Sequence, residues 1–314
     1  MTSSHPIRVL LGPQSPRRTI GEAVSKAQLP DGPLAVISAG WQEAEGDIDD
    51  IGSLVDRPLQ DLHLYSRSEY VLENNSSLAD AVRQRQNKLL DLQRLYRMRL
   101  KQLSIAARRM LNAEGDTEIV AAEQRHAIAQ LRALDRHHLH RCESVWQEFA
   151  AATGQHSHPL LRQNAAEVAE IIARCAGVLI TGGNVGVLMN RMRLFSVERL
   201  LEQSNIIAWS AGAMVLTDRI VLFHDRSPEG RRDAEVFGAG SGVIPGHVFL
   251  PDAQHRLRTG DRPRMSLLCR RFAPAVCVAL DSGTEAHFDD AGLRHSNELR
   301  RLGHDGRFAT LRAS

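Results

Sequence analysis

The stretch IIAWSAGA, residues 206–213, decides how the rest of the chain is read. Four apolar residues suit a short buried strand, and a helical pattern begins directly after the serine. A serine at a strand-to-helix turn is held where a substrate can reach it, and the free N–H groups of the new helix point at the same spot. Such a turn is sterically tight and needs small residues two positions to either side, which are here Ala208 and Gly212. Ser210 is therefore the first candidate nucleophile, with the N–H of Ala211 as a natural oxyanion donor.

Working outward, the same alternation recurs on both sides. Residues 178–181 form an apolar run ending in Gly182, Gly183 and Asn184, and 220–223 end in His224 and Asp225. Residues 243–250 end in Pro251 and Asp252, a helix is expected over 262–272, and 276–280 end in Asp281. Near the start, 7–11 and 34–38 are short apolar runs with a helix expected around 19–26 between them, and 62–65 is a weaker third run. Short buried strands separated by helices predict an α/β fold: an open, mostly parallel sheet with helices on both faces. Polar residues gather just past the strand ends, the edge where ligands bind in such sheets.

A different pattern interrupts this one. From 78 to 153 two long helical stretches are broken at Glu114, Gly115 and Asp116. Apolar residues recur at steps of three, four and seven (Leu78, Val82, Leu89, Leu92, Tyr96, Leu103 and Met110, then Ile128, Leu131, Leu139, Cys142, Val145 and Phe149). That spacing predicts a long antiparallel helical hairpin with a narrow apolar seam, projecting from the α/β body. The body is thus split into 1–77 and 154–314, the second part carrying the candidate site. The first hairpin helix has nine Lys and Arg (Arg83, Arg85, Lys88, Arg94, Arg97, Arg99, Lys101, Arg108, Arg109) against Asp80 and Asp91. It is read either as a surface for an acidic protein partner or for self-association, or as a solvated face neutralised by its neighbours.

Composition bounds the function classes. With 314 residues, 43% hydrophobic and 24% charged, the chain describes an ordinary globular protein with ample core. Only 4% of residues are aromatic, which argues against stacking on sugars or single-stranded nucleic acid, and a net charge of +2 gives no global field for nucleic acid. Cys142, Cys175, Cys269 and Cys277 lack metal or disulfide spacing and read as thiols of a reducing compartment. Residues 1–20 hold no apolar leader core and no run approaches a membrane span, so a cytoplasmic protein without membrane contact is expected.

Gly182, Gly183 and Asn184, then Trp209 to Ala213, then the glycine-rich Gly240, Ser241, Gly242, Val243, Ile244 and Pro245, together resemble the peptidase E and cyanophycinase family. Those are serine peptidases on a flavodoxin-like, class I glutamine amidotransferase-like fold. The resemblance spans roughly 178–280. The layout with the hairpin resembles an uncharacterised bacterial group of amidotransferase-like proteins. It implies Ser210 as nucleophile, Asp225 as the acidic triad member, and Gly182 and Gly183 at the oxyanion hole, with the N–H of Gly183 as second donor. Asn184 is implied at the substrate edge, and no cofactor is implied.

One position departs from the family. Its histidine follows a proline at the next strand end, and here that pair is Pro251 and Asp252. A carboxylate near its usual pKa of about 4 is a poor base toward a hydroxyl compared with imidazole. Three histidines are candidate substitutes: His255, one turn beyond Asp252 and the preferred one; His247, five residues earlier on the same strand; and His224, beside Asp225. Arg256, Arg258, Arg262 and Arg264 follow. The resemblance implies acidic substrates, and guanidinium forks suit carboxylates, so Arg256 joins Asp252 as a candidate substrate contact. His137 and His140 have helical spacing but no third ligand, so no metal is expected. The expected function is a serine hydrolase, a peptidase or amidase on a small or acidic peptide-like substrate. The alternative is a non-catalytic binding protein that has lost the family's histidine.

Overall fold

The computed structural model describes residues 5–225 and 232–311. Thirteen strands follow the chain among these residues. β1 (Arg8–Leu11), β2 (Leu34–Ile37), β3 (Leu59–Asp61), β4 (Gly177–Ile180) and β5 (Ile206–Trp209) come first. β6 (Arg219–Leu222), β7 (Glu235–Ala239), β8 (His247–Pro251) and β9 (Val276–Leu280) follow, then β10 (Glu285–Asp289), β11 (Gly292–Asn297), β12 (Arg300–Leu302) and β13 (Phe308–Thr310). The helices are α1 (Ile20–Lys26), α2 (Asp49–Gly52), α3 (Leu64–Glu73), α4 (Ser76–Leu111), α5 (Thr117–Thr153), α6 (Pro159–Arg174), α7 (Val185–Leu194), α8 (Ala211–Met214), α9 (Ala253–Arg256) and α10 (Arg262–Phe272).

The fold is α/β. Its main sheet has seven strands in the order β11-β10-β1-β5-β4-β2-β3, parallel from β1 through β3 with an antiparallel edge at β10 and β11. Period-two alternation divides each central strand between two cores. Val9, Leu11, Ile207 and Trp209 pack with Ile20, Ala23 and Val24 of α1 on one face. Leu10, Ile180, Ile206 and Ala208 pack with the helices of the other face, including Leu188 and Met192 of α7.

Two expectations about the strands are corrected. The later strands do not extend this sheet: β8 and β9 are parallel neighbours in a second sheet, β13-β12-β9-β8, and β6 pairs with β7 as a separate antiparallel ribbon. The weak run at 62–65 is not a strand; β3 lies just before it, and α3 starts at Leu64.

The hairpin is where it was expected, with α4 and α5 capped by Asn75 and Asp116 accepting from the first-turn N–H groups. At about 1.5 Å per residue each helix runs roughly 54 Å. It does not project freely. The hairpin lies along α10 and β7, fastened by a buried polar cluster. Arg271 donates to both oxygens of Asp135 (Nε at 2.7 Å, Nη2 at 2.6 Å) and to the Tyr96 hydroxyl, while Tyr96 accepts from Val236 N–H at 3.0 Å. The Arg132 guanidinium caps the carbonyl of Arg271 at 3.1 Å.

Much of the basic excess of α4 is consumed in the same way. Arg97 pairs with Glu235, Arg108 with Asp233 and Lys88 with Glu148. Arg85 is buried with no acidic partner among the described residues and lies over the rings of Trp146 at 3.9 Å and Phe149 at 4.5 Å. Burial, with Arg191 and Arg193 nearby, pulls its pKa down to about 9. Cys142, Cys269 and Cys277 are buried free thiols and Cys175 is half-buried. No described helix is long and apolar enough to cross a membrane.

Candidate active site

At the carboxyl end of β5 the backbone turns sharply at Ser210, which caps α8 with φ 52° and ψ −118°. A non-glycine residue there is strained by about 1–3 kcal/mol, and such strain persists only where surrounding packing enforces it. The enforcement is visible at Gly212, where an added Cβ would lie 2.3 Å from the Ile180 carbonyl oxygen. Helix α8 therefore starts pressed against the end of β4, and the chain must reverse within one residue.

The neighbouring turn brings bare backbone to the serine. A Cβ on Gly182 would sit 3.1 Å from Ser210 Cβ and 3.6 Å from its Oγ. Gly183 has φ +100° and rests against the Gly40 carbonyl, which accepts from Asn184 N–H at 2.7 Å. Thr181 and Asn184 donate their N–H groups to backbone acceptors, whereas the N–H groups of Gly183 and Ala211 have none among the described residues. Ser210 is half-exposed, and its side chain caps no helix N–H.

Ser210, Gly182 and Gly183 line one wall of a cleft of about 370 Å³. The opposite walls come from Pro13, Gln14, Ser15 and Arg18 after β1 and from Trp41, Asp50 and Leu54 after β2. Gln14 is fixed as a brace, its Oε1 accepting from the N–H groups of Thr19 and Ile20. Arg18 pairs with Asp50 at 3.2 Å, and both are exposed. Sequence reading missed this half of the cleft. It marked the strand ends at 11 and 38, but Trp41, Arg18 and Asp50 lie in loops without a motif.

The remaining site candidates are not gathered in this cleft. Asp225 is buried, and its carboxylate is occupied by Arg264 Nη2, by Arg264 Nε at 3.0 Å and by the Arg258 N–H at 3.2 Å. The expected Asp225–His255 pair does not form: the guanidinium of α10 occupies the carboxylate fork. His255 Nδ1 instead bonds Asp252 Oδ1 at 2.6 Å, and the imidazole is largely exposed. Asp252 itself adopts a left-handed conformation (φ 57°) as the cap of α9, directly after Pro251. No residue of α9, Arg256 included, lines the Ser210 cleft; Arg256 lies over the Phe223 ring at 4.8 Å. Asn184 spends its side chain capping α7, accepting from Gly186 and Val187 N–H, rather than facing the cleft. His247 opens β8 and lines a different cleft with Arg8 and Asp290, at the amino ends of β1 and β5.

A crystal structure of a peptidase from an acI-B1 Actinobacterium is similar to this chain with a TM-score of 0.45 and 12% identity, over 96% of this chain and 91% of that one. No family model matches the chain, and no curated protein matches it. Among the described residues no group of three or more His, Cys, Asp or Glu is arranged to hold a metal ion.

Proposed function

We propose that the protein is a serine-type hydrolase, a peptidase or amidase acting on a small or acidic peptide-like substrate, with Ser210 as its nucleophile. The observation that carries this reading is the strained Ser210 turn standing against Gly182 in an open cleft. Strain of this kind clusters at functional sites, and the flanking N–H groups have no backbone acceptor among the described residues.

In this reading Ser210 Oγ attacks the substrate carbonyl carbon while its proton passes to an imidazole. The oxyanion accepts from the N–H groups of Gly183 and Ala211, the developing amine takes the proton and leaves, and water then releases the acyl group. The base assigned in this reading is His255, held by Asp252 rather than by Asp225; α9 lies outside the cleft lining, so the imidazole has to reach Ser210 in the substrate complex. Arg18 at the cleft wall supplies a cation for an acidic side chain.

A second reading is favoured by one observation: the residues lining the Ser210 cleft include no histidine. Under it the protein is a non-catalytic member of the same architecture that keeps the pocket for binding. Labelling with a fluorophosphonate probe separates the two. Hydrolase chemistry requires labelling of the wild-type protein that is lost in Ser210→Ala and reduced at least about 100-fold in His255→Ala. An unlabelled wild-type protein supports the binding reading. Labelling gained only in Asp252→His indicates that the base has been lost.

A further inference from the structure

The basic face of α4 opens, where it meets β7 and α10, into a cleft of about 610 Å³. Its cations are Arg97, Lys101 and Arg108 of α4, Arg232 before β7, and Arg264 of α10. Among the described residues two acids line the cleft with them, Asp233 and Glu235, and both are already shared. Asp233 Oδ1 accepts from Arg108 at 2.6 Å and from Arg264 at 3.5 Å; Glu235 Oε2 accepts from Arg97 at 2.6 Å and from Gln93 at 3.1 Å. The Lys101 and Arg232 side chains, both exposed, have no partner among the described residues.

Like charges held this close repel, and a cleft walled by low-dielectric protein concentrates their field. Acids beneath position the guanidinium groups of Arg97, Arg108 and Arg264, the last also held by Asp225, and the five cations still outnumber these three described carboxylates. Leu100 and Ile105 supply apolar wall between the cations. A volume of this size holds a whole small molecule rather than a single ion. The donors come from three separate elements, which suits a ligand with oxygens on every side. A phosphoanhydride has that form, and arginine forks bind it bidentately.

We propose that this cleft binds a small molecule carrying two or more linked phosphate groups. The site is separate from Ser210 and independent of whether Ser210 is a nucleophile.

Titration calorimetry of the full-length protein with inorganic pyrophosphate tests this, with citrate as the polycarboxylate comparison. Pyrophosphate is expected to bind below millimolar concentration and to weaken as salt is raised. Lys101→Ala/Arg232→Ala should weaken it at least about tenfold, since each charge removed takes away a charge-assisted contact. Neither side chain is used in packing, so the double variant should keep the wild-type melting temperature. Lys88→Ala, on the same helix but paired with Glu148 outside the cleft, should bind as the wild type does. Absence of pyrophosphate binding, undiminished binding by the double variant, equal loss in Lys88→Ala, or tighter binding of citrate would each overturn the proposal.

Discussion

The Ser210 turn and the seam between hairpin and body hold their strain in different currencies. At Ser210 the cost lies in the backbone: one residue at positive φ, pressed between Gly182 and the end of β4, in a cleft whose charged lining is a single exposed pair, Arg18 and Asp50. Along the seam the backbone is regular helix and the cost lies in charge. Arg271 and Asp135 are 3% and 2% exposed, so almost all their hydration has been replaced by each other and by Tyr96. Backbone strain is local and is relieved by changing one residue. A buried ion pair is held by elements far apart in sequence and fails as a unit.

The sharpest way to break the comparison is therefore at the seam. Asp135→Ala leaves Arg271 buried without its carboxylate, and removing one partner of a buried pair costs about 3–5 kcal/mol. Urea unfolding should show that loss. Replacing both together, Asp135→Leu with Arg271→Met, should cost much less because no uncompensated charge remains. A single variant within about 1 kcal/mol of wild type would mean that the seam behaves like a surface pair and that the contrast drawn here is false.

The second test uses the same seam and asks for a pH dependence. His138 is stacked on Tyr96 at 4.2 Å and its Nε2 bonds Gln93 Oε1 at 2.9 Å. Burial lowers its pKa from 6.5 to about 4, against the opposing pull of the nearby Asp135 carboxylate. The folded state therefore binds fewer protons than the unfolded state between these values. Its contribution is fully present above pH 6.5 and is lost as pH falls toward 4. The gap corresponds to about 3 kcal/mol at most. Unfolding free energies at pH 7 and pH 4.5 should differ less in His138→Gln than in wild type. An unchanged difference would place the acid sensitivity elsewhere.

The two regions also differ in how far they could be read from the chain. The Ser210 turn is a contiguous motif: an apolar strand, a serine, and small residues at fixed offsets, so its place at a strand end was legible. Gly182 and Gly183 were legible for the same reason. The hairpin emerged from periodicity, yet its seam contains buried Arg85, Gln93 and Ser104 on α4, polar types that a hydrophobic pattern passes over. What held Asp225 was not legible at all. Its partner Arg264 lies thirty-nine residues on, and nothing local says that a guanidinium will reach the carboxylate before an imidazole does. The split of the later strands into a second sheet was hidden similarly, because strand pairing is decided between elements rather than within them.

The smallest expected effect returns to Ser210. Gln42 adopts nearly the same backbone angles, φ 60° and ψ −121°, but does not line the cleft, whereas Ser210 does. Glycine accepts such a conformation without the clash that a Cβ brings. Ser210→Gly should therefore be more stable than Ser210→Ala by about 1 kcal/mol, since both lack the hydroxyl and differ in the Cβ. Thermal melts of the two variants measure this directly. If alanine is equal or better, the turn is relaxed rather than strained. The argument from backbone to nucleophile would then lose its physical basis, even with the serine at the cleft.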